Sequence, residues 1–471
     1  MAADLTSNSV ELIPSARRLV QSLRDIGYDL PSAVADIIDN SIAAQATEVR
    51  VDLAFQGEES WVSIADNGTG MGVEALTEAM RYGTQRDYSE SELGKFGLGL
   101  KTASMSQCRR LTVATRSDPK RRAIEIRQWD LDHIERVDRW EILRVSPARA
   151  KADLVDPLRL HPGTVVLWEH LDRVLRYKIP EGQWALDGFA RLCRLVEDHL
   201  SMVFHRFVSG EARRALPLVI YVNGNRLGAW DPFSRSEPAT KKLTKQSLAL
   251  HHAGRNHRVT LQPFILPNEA EFSSPLAHKR AGGPKRWNHQ QGLYIYRNDR
   301  LIQSGGWNRI RTPDEHTKLA RIAMDFPSAA DSAFELNVAK MQVRVPDELR
   351  NQLTALISSY ASAANAAYRK NSGAKGRQTV LGKPDKNGDR PTPRPRGRQR
   401  LDAEPVKYLV HYTLRGVKEI VRRELRDQPR LLDRVLTGID RFNEDLVAEL
   451  QAAVGSLDID TEAPVEVRKS S

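Results

Sequence analysis

The chain has 471 residues, of which 40% are hydrophobic and 28% are charged, and this is enough apolar material for two or three packed domains. The composition excludes a short peptide, a collagen and a wholly disordered chain. Its two cysteines, Cys108 and Cys193, cannot build a disulfide framework or a cysteine zinc site. Because there is no membrane-length apolar run and no basic-then-apolar secretory signal, we expect a soluble, cytoplasmic protein without a membrane partner.

Positive charge is concentrated in one segment. The net charge is +11, and residues 369–400 contain eleven basic and two acidic side chains, so they supply nine of the excess charges. Gly, Pro and Ser replace apolar residues there, which predicts a flexible basic linker over 372–403. Such a linker attracts nucleic acid, although it can also be merely solvated. Beyond it, apolar residues at three- and four-residue spacing predict a helical C-terminal module over 404–460.

The N-terminal part mixes helical and strand patterns. Hydrophobic spacing predicts helices over 15–26 and 30–44, separated by a break at Gly27. Alternating polarity predicts strands over 49–54 and 61–65, followed by a glycine-rich turn. Since strands and helices do not alternate regularly, the pattern favours an α+β fold, a mixed sheet with helices on one face, over a doubly wound parallel sheet.

A second α+β unit is expected to follow the first. Its strand-like pieces cover residues 217–222, 292–296 and 334–338. We therefore expect a first domain over 12–173 and a second domain over 174–371.

Three clusters in the first domain carry residues suited to chemistry, and the first lies on the second predicted helix. Asp36 and Asn40 are four residues apart and share a helical face, so both can point into one cavity. An amide oxygen suits Mg²⁺, and a carboxylate suits the orientation of a water molecule. The alternative is a helix with ordinary solvated acids.

The second cluster, DNGTGM, directly follows a predicted strand. Asp66 can accept a hydrogen bond from an exocyclic amine, and Gly68 and Gly70, followed by Met71, leave space for a flat ring beside the backbone. The pattern indicates adenine binding, and its alternative is a turn after an edge strand. A dinucleotide fingerprint fits poorly because the glycine spacing and the βαβ context differ.

The third cluster is a glycine-rich loop before a helix, where converging N–H groups and a lysine can bind a polyphosphate. Its residues are Gly94, Lys95, Phe96, Gly97, Leu98, Gly99, Lys101 and Thr102. The extra Leu100 before the lysine breaks the Walker pattern, so a Walker-type ATPase is disfavoured. A glycine-rich loop without a ligand is the structural alternative.

In this order and at these separations, the three clusters resemble the Bergerat fold of GHKL ATPases. That group contains type II topoisomerases, MutL, large heat-shock chaperones, sensor histidine kinases and MORC proteins. The segments GKFGLGLKTASMSQC and DNGTGM are most similar to the MORC-type branch. The resemblance implies ATP and Mg²⁺ as cofactors and an Mg-dependent ATP hydrolase.

The resemblance also implies a role for each matching residue. Asn40 would coordinate Mg²⁺, and Asp66 would hold the adenine amine in one network with Thr164. The loop that begins at Gly94 would cover the phosphates, and Lys101 would contact them.

The likeness extends over about residues 12–347. The segment ELNVAKMQVRVPD resembles the transducer-domain loop of MutL and topoisomerases, in which a lysine reaches the terminal phosphate. That lysine would be Lys340, and its alternative is a surface lysine on an exposed strand. The second domain would then be a transducer with a ribosomal S5 domain 2-like fold.

Two positions depart from the family pattern. Asp36 stands where relatives usually carry the glutamate that positions the attacking water, and Ala43 stands where an acid is frequent. Misplacing a base by about 1 Å can cost on the order of a hundredfold in rate. We therefore expect nucleotide binding with slow turnover.

The leading hypothesis is an ATP-gated homodimeric clamp acting on DNA. DNA would contact the basic linker and a loop of the second domain, whose residues are Lys279, Arg280, Lys285, Arg286 and Trp287. That loop can also be simply solvated. The rivals are a chaperone-like or signalling ATPase that remodels protein partners through the C-terminal helices, and a nucleotide-binding regulator that does not hydrolyse ATP.

Overall fold

The computed structural model of the chain describes residues 13–25, 27–82, 99–117, 120, 123–213, 215–336 and 343–370. All of these residues belong to one unit. The predicted linker and C-terminal helices lie outside the described residues and remain predictions. Within the described ranges, no helix is both long and apolar enough to cross a membrane.

The helices of the described ranges vary from one turn to six. They are α1 (Ala16–Arg24), α2 (Leu30–Ala43), α3 (Val73–Met80), α4 (Gly99–Met105), α5 (Leu131–Val137), α6 (Ala152–Leu160), α7 (Gln183–Val203), α8 (His205–Val208), α9 (Pro275–Ala281), α10 (Arg286–Gln290) and α11 (Asp347–Arg369). Short 3-10 helices cover Pro147–Arg149, Glu269–Glu271, Glu315–Thr317 and Ser328–Ala330.

The first sheet is mixed. Its strands are β1 (Glu48–Ala54), β2 (Trp61–Asp66), β3 (Arg110–Arg116), β4 (Glu125–Asp130), β5 (Leu143–Arg144), β6 (Gly163–Glu169), β7 (Val219–Val222) and β8 (Asn225–Arg226). The strand order is β5-β4-β3-β6-β2-β1-β7-β8. The β1–β7 pair is parallel, and the other pairs are antiparallel. The predicted α+β class with a mixed sheet is confirmed.

The second sheet is also mixed. Its strands are β9 (Lys241–Lys242), β10 (Gln246–His252), β11 (Arg255–Ile265), β12 (Gly292–Arg297), β13 (Arg300–Ser304) and β14 (Ala320–Phe326). The order is β10-β11-β14-β12-β13, with β9 also paired to β11. β12 runs parallel to β14. The buried face of this sheet packs against α11, whose apolar side chains include Leu349, Leu353 and Ile357.

Helix α2 begins and ends where local chemistry requires. The side chain of Asp29 accepts the backbone N–H of Ser32 at 2.8 Å, and Pro31 occupies the first turn, where its missing N–H is harmless. Gln45 adopts a positive φ of 59° just after the helix, so the chain leaves the helical path. The predicted helix over 30–44 is confirmed to within one residue.

The helices do not all lie on one face of the first sheet. Leu154, Val155 and Leu158 of α6 pack with the side chains of Trp61 and Val165, which form part of a separate core cluster. On the opposite face, Ser41 of α2 hydrogen-bonds Asp66 of β2, and the Trp129 indole of β4 donates to Met80 of α3. Because successive residues of a strand alternate faces, the sheet is covered on both sides.

The strand predicted at 217–222 forms, but in the first sheet. Glu48 of β1 pairs with Val219 of β7 in a parallel register, and the Asn223 side chain accepts the Leu53 N–H at 2.7 Å. Its assignment to the second unit was wrong, because alternating polarity identifies a strand without identifying its partner. The boundary near residue 173 stays a prediction.

The strand predicted at 334–338 does not form in its described part. Phe334 and Glu335 lie in a turn, and Glu335 has a φ of 46°, which is incompatible with an extended chain. The Phe334 ring stacks on Phe326 at 4.0 Å between centroids, so its burial reflects ring packing. Residues 337 and 338 lie outside the described residues.

Candidate functional site

Helix α2 carries Asp36 and Asn40 one turn apart, as their spacing predicts. Asp36 is buried, with 2% of its surface exposed, whereas Asn40 is exposed. Within the described ranges, the Asn40 side chain makes no hydrogen bond to another residue. The helix therefore combines an enclosed carboxylate with an accessible amide oxygen.

The Asp36 carboxylate contacts Tyr28 and Arg300 and faces the start of α4. The Tyr28 hydroxyl donates to Oδ2 at 2.8 Å, and a guanidinium nitrogen of Arg300 lies 3.6 Å from Oδ1. At Gly99, the first residue of α4, an added Cβ would lie 3.6 Å from Oδ2. Burial, followed by the charge of Asp36, raises the pKa of Tyr28 well above its ordinary value, so Tyr28 remains a donor at neutral pH.

Asp66 ends strand β2, and protein donors hold its carboxylate in place. Oδ1 accepts the backbone N–H groups of Gly68 at 2.9 Å and Thr164 at 3.2 Å, and Oδ2 accepts the Ser41 hydroxyl at 2.9 Å. Burial raises the pKa of Asp66, and these three hydrogen bonds oppose the rise. Asp66 and Thr164 are therefore hydrogen-bonded to each other, and their joint role in adenine binding stays a prediction.

Thr115 of β3 connects Thr164 with the turn after β2. Its hydroxyl donates to the carbonyl of Gly163 at 2.9 Å and lies 3.3 Å from the Thr164 hydroxyl. It also accepts the Met71 N–H at 2.8 Å. These contacts place Met71 and Thr164 around one buried hydroxyl.

The glycines near Asp66 allow close backbone contacts. Gly70 has a φ of 64°, and a Cβ there would lie 2.1 Å from the carbonyl oxygen of Arg116. At Gly68, an added Cβ would lie 2.8 Å from the Ala44 carbonyl oxygen. The missing side chains thus make room for neighbouring strands and for α2. The space for a flat ring beside these glycines stays a prediction.

Lys101 and Thr102 lie on α4 and are buried. The Lys101 ammonium donates to the Ala79 carbonyl at 3.0 Å, in the last turn of α3. Burial lowers the pKa of Lys101 to about 8, and the nearby Glu78 opposes this shift. Thr102 hydrogen-bonds the Tyr28 hydroxyl that also contacts Asp36. The Lys101 ammonium is therefore desolvated. In sequence, Lys101 lies next to Thr102, another candidate residue.

Several predicted site residues lie outside the described residues. They are Gly94, Lys95, Phe96, Gly97, Leu98 and Lys340. Their predicted contacts with phosphate therefore remain predictions.

Four residues that contact the candidate site were not predicted from the sequence: Tyr28, Ser41, Thr115 and Arg300. Ser41 directly follows Asn40 in the sequence and could have been found there. Arg300 is remote in sequence from α2, and no local pattern marks it.

The residues on α2 fit an Mg²⁺ site of the kind that retains water and phosphate ligands. Mg²⁺ prefers hard oxygen donors and is often bound by one or two protein groups together with the substrate phosphates. The exposed amide of Asn40 offers one such oxygen. In the described ranges, no group of three or more His, Cys, Asp or Glu side chains forms an all-protein metal site.

The fold and the site agree with a match to a known family. Residues 28–160 match the family described as Histidine kinase-, DNA gyrase B-, and HSP90-like ATPase. The matched range includes Asp36, Asn40 and Asp66 and extends past Lys101. This part of the chain therefore matches a GHKL ATPase domain.

Curated relatives match shorter stretches. ATPase morc-1 of Caenorhabditis elegans is 30% identical over 87 residues, which are 18% of this chain and 10% of that protein. The DNA mismatch repair protein MutL of Azorhizobium caulinodans is 34% identical over 100 residues, which are 20% of this chain and 16% of that protein. The chain thus matches only a small share of the length of each relative.

Proposed function

We propose that the chain binds ATP with Mg²⁺ at α2 and the Asp66 turn, hydrolyses it, and uses this cycle as a dimeric clamp on DNA. The Asp66 carboxylate is the observation that carries the binding step. An ionised carboxylate offers about four lone-pair positions. Gly68, Thr164 and Ser41 use three of them. The remaining position on Oδ2 suits the exocyclic amine of adenine.

The phosphates would lie towards the exposed end of α2. Asn40 would hold Mg²⁺ through its amide oxygen, and the ion would neutralise phosphate charge. The glycine-rich residues 94–99 would cover the phosphates. Lys101 would exchange its hydrogen bond to Ala79 for a phosphate oxygen, and Lys340 would contact the terminal phosphate.

Hydrolysis would depend on Asp36. Its carboxylate lies one turn before Asn40, and the hydrogen bond from Tyr28 orients it. An ionised carboxylate there can accept a proton from a water molecule aligned with the terminal phosphate. Because aspartate reaches less far than glutamate, we propose slow turnover.

Nucleotide is expected to convert the chain from monomer to dimer. A phosphate-bound loop over 94–99 would order a surface on which two ATPase domains associate, as in other loop-ordering switches. Size-exclusion chromatography with light scattering should show the dimer with a non-hydrolysable ATP analogue and Mg²⁺. The Asp66→Asn variant should stay monomeric under the same conditions. A wild-type chain that stays monomeric at saturating nucleotide would contradict the clamp.

DNA binding is supported by a relative named as a DNA mismatch repair protein and by a basic surface on α9 and α10. Lys279, Arg280 and Arg286 are exposed there. Trp287 is half-buried and stacks on His278 at 4.8 Å. Lys285 differs from its neighbours because its ammonium donates to the Ser304 hydroxyl at 2.9 Å.

Charge reversal on this surface should weaken DNA binding. Replacing Lys279, Arg280 and Arg286 together by glutamate should lower affinity and flatten its salt dependence, since each lost phosphate contact removes about 0.9 from the slope. The matched control replaces Lys241, Lys242 and Lys245, which are also exposed, by glutamate. Filter binding across a salt series measures both. Equal effects of the two variants would contradict the assignment of DNA binding to α9 and α10. The absence of salt-dependent DNA retention would favour a protein partner.

A further inference from the structure

Arg300 reaches α2 from the second sheet. It is the first residue of β13 and follows a two-residue turn in which Asn298 and Asp299 have φ values of 46° and 65°. Positive φ at both central residues is typical of tight two-residue hairpin turns, whose twist matches that of the flanking strands. An ion pair from Arg206 to Asp299, at 2.9 Å, also holds the turn. The base of the Arg300 side chain is therefore held rigidly.

The Arg300 guanidinium bridges two acids of α2. Its Nε lies 2.8 Å from the Asp39 carboxylate, and a terminal nitrogen lies 3.6 Å from Asp36 Oδ1. All three side chains are 4% exposed or less. The guanidinium also lies 5.7 Å from the centre of the Phe204 ring. The planar guanidinium of Arg300 therefore links the carboxylates of Asp36 and Asp39 on α2 to strand β13 of the second sheet.

The groups around Asp36 and Asp39 show what the Arg300 guanidinium contributes to α2. The carboxylates of Asp36 and Asp39 are both buried and lie three residues apart on α2, and the Arg300 guanidinium contacts both of them. Tyr28 contributes a hydrogen bond to Asp36 but no charge. Burial, followed by Arg300, lowers the pKa of the nearby His199 to about 4, so this imidazole is neutral at pH 7. Without Arg300, the two acids would lose a partner that both share.

We propose that Arg300 is a positioning residue for ATP hydrolysis. It holds the Asp36 carboxylate in the orientation that aligns water, and it makes that orientation depend on the β12–β13 hairpin. This inference rests on the proposed ATPase function. Since Arg300 contacts Asp36 and Asp39 but does not contact Asp66, its loss should change turnover more than ATP affinity.

The test compares Arg300→Gln with a matched buried arginine. Arg297 in the same hairpin is also 4% exposed and pairs at 2.8 Å with Asp331, which is not a residue of α2. Arg300→Gln should lower kcat at least tenfold while the ATP Kd changes less than threefold. Arg297→Gln should lower the melting temperature by about as much as Arg300→Gln does, but it should leave kcat within threefold. Arg300→Lys keeps the positive charge but loses the planar guanidinium that contacts both acids. Its kcat should therefore lie between those of Arg300→Gln and the wild type.

A double variant separates positioning from stability. Adding Asp39→Asn to Arg300→Gln removes one of the two buried carboxylates that Arg300 contacts, so the melting temperature should recover while kcat stays low. Recovery of kcat together with stability would overturn the inference, because the role would then be structural. An Arg300→Gln protein with wild-type kcat, or with only its ATP Kd raised, would also overturn it. Absence of turnover in the wild type would instead contradict the proposed function itself, and this inference with it.

Discussion

Asp66→Asn is expected to weaken ATP binding by about 100-fold or more. A hydrogen bond to a charged group contributes up to about 3 kcal/mol, and about 1.4 kcal/mol corresponds to tenfold in affinity. The asparagine side chain would also point its NH₂ group at hydrogen-bond donors, because Gly68, Thr164 and Ser41 all donate to the Asp66 carboxylate. Titration calorimetry with ATP and Mg²⁺ measures the change in Kd.

Asp130→Asn is the matched control for this prediction. Asp130 also ends a strand of the first sheet, and it accepts hydrogen bonds from the backbone N–H groups of Asp132 and His133 and from Arg110. Its replacement should lower stability and leave the ATP Kd within about threefold. Equal affinity losses in the two variants would show that Asp66 acts through the fold and not through a contact with adenine.

Asp36→Asn is expected to lower kcat by about 100-fold or more with little change in ATP affinity. General base catalysis typically contributes about 100- to 10,000-fold, and an amide cannot accept the proton of the attacking water. The amide has nearly the same volume as the acid, so the packing around Tyr28 should be kept. Phosphate release measured beside the ATP Kd separates turnover from binding.

Asp331→Asn controls for the loss of a buried ion pair. Asp331 is 3% exposed and pairs with Arg297, so its replacement removes a comparable buried charge that does not belong to α2. It should leave kcat within about threefold. If Asp36→Asn hydrolyses ATP at the wild-type rate, Asp36 is not the base. If neither the wild type nor Asp36→Asn hydrolyses ATP, a nucleotide-binding regulator is favoured.

Local patterns predicted the elements that carry the site. Asp29, Pro31 and the break at Gly27 define the start of α2 within a few residues, and such short-range signals can be read from the sequence. Periodicity likewise predicted β1 and β2, so the strand end at Asp66 was placed correctly. The α+β class followed from the order of these patterns.

Long-range contacts could not be predicted in the same way. The pairing of β7 with β1 joins segments about 170 residues apart, and alternation carries no information about the partner strand. Arg300 is separated from Asp39 by 261 residues, so the buried bridge appears only in the folded chain. The close approach of Arg116 to Gly70 is equally invisible in a glycine-rich motif.

A calorimetric titration of the folded 471-residue chain with ATP, with and without Mg²⁺, tests nucleotide binding at Asp66 and Asn40 most directly. If adenine binds Asp66 and Asn40 holds the ion, the wild type should release heat with one ATP per chain, and removal of Mg²⁺ should weaken binding. A folded chain that shows no saturable heat with ATP and Mg²⁺, over a range of temperatures, would contradict the account.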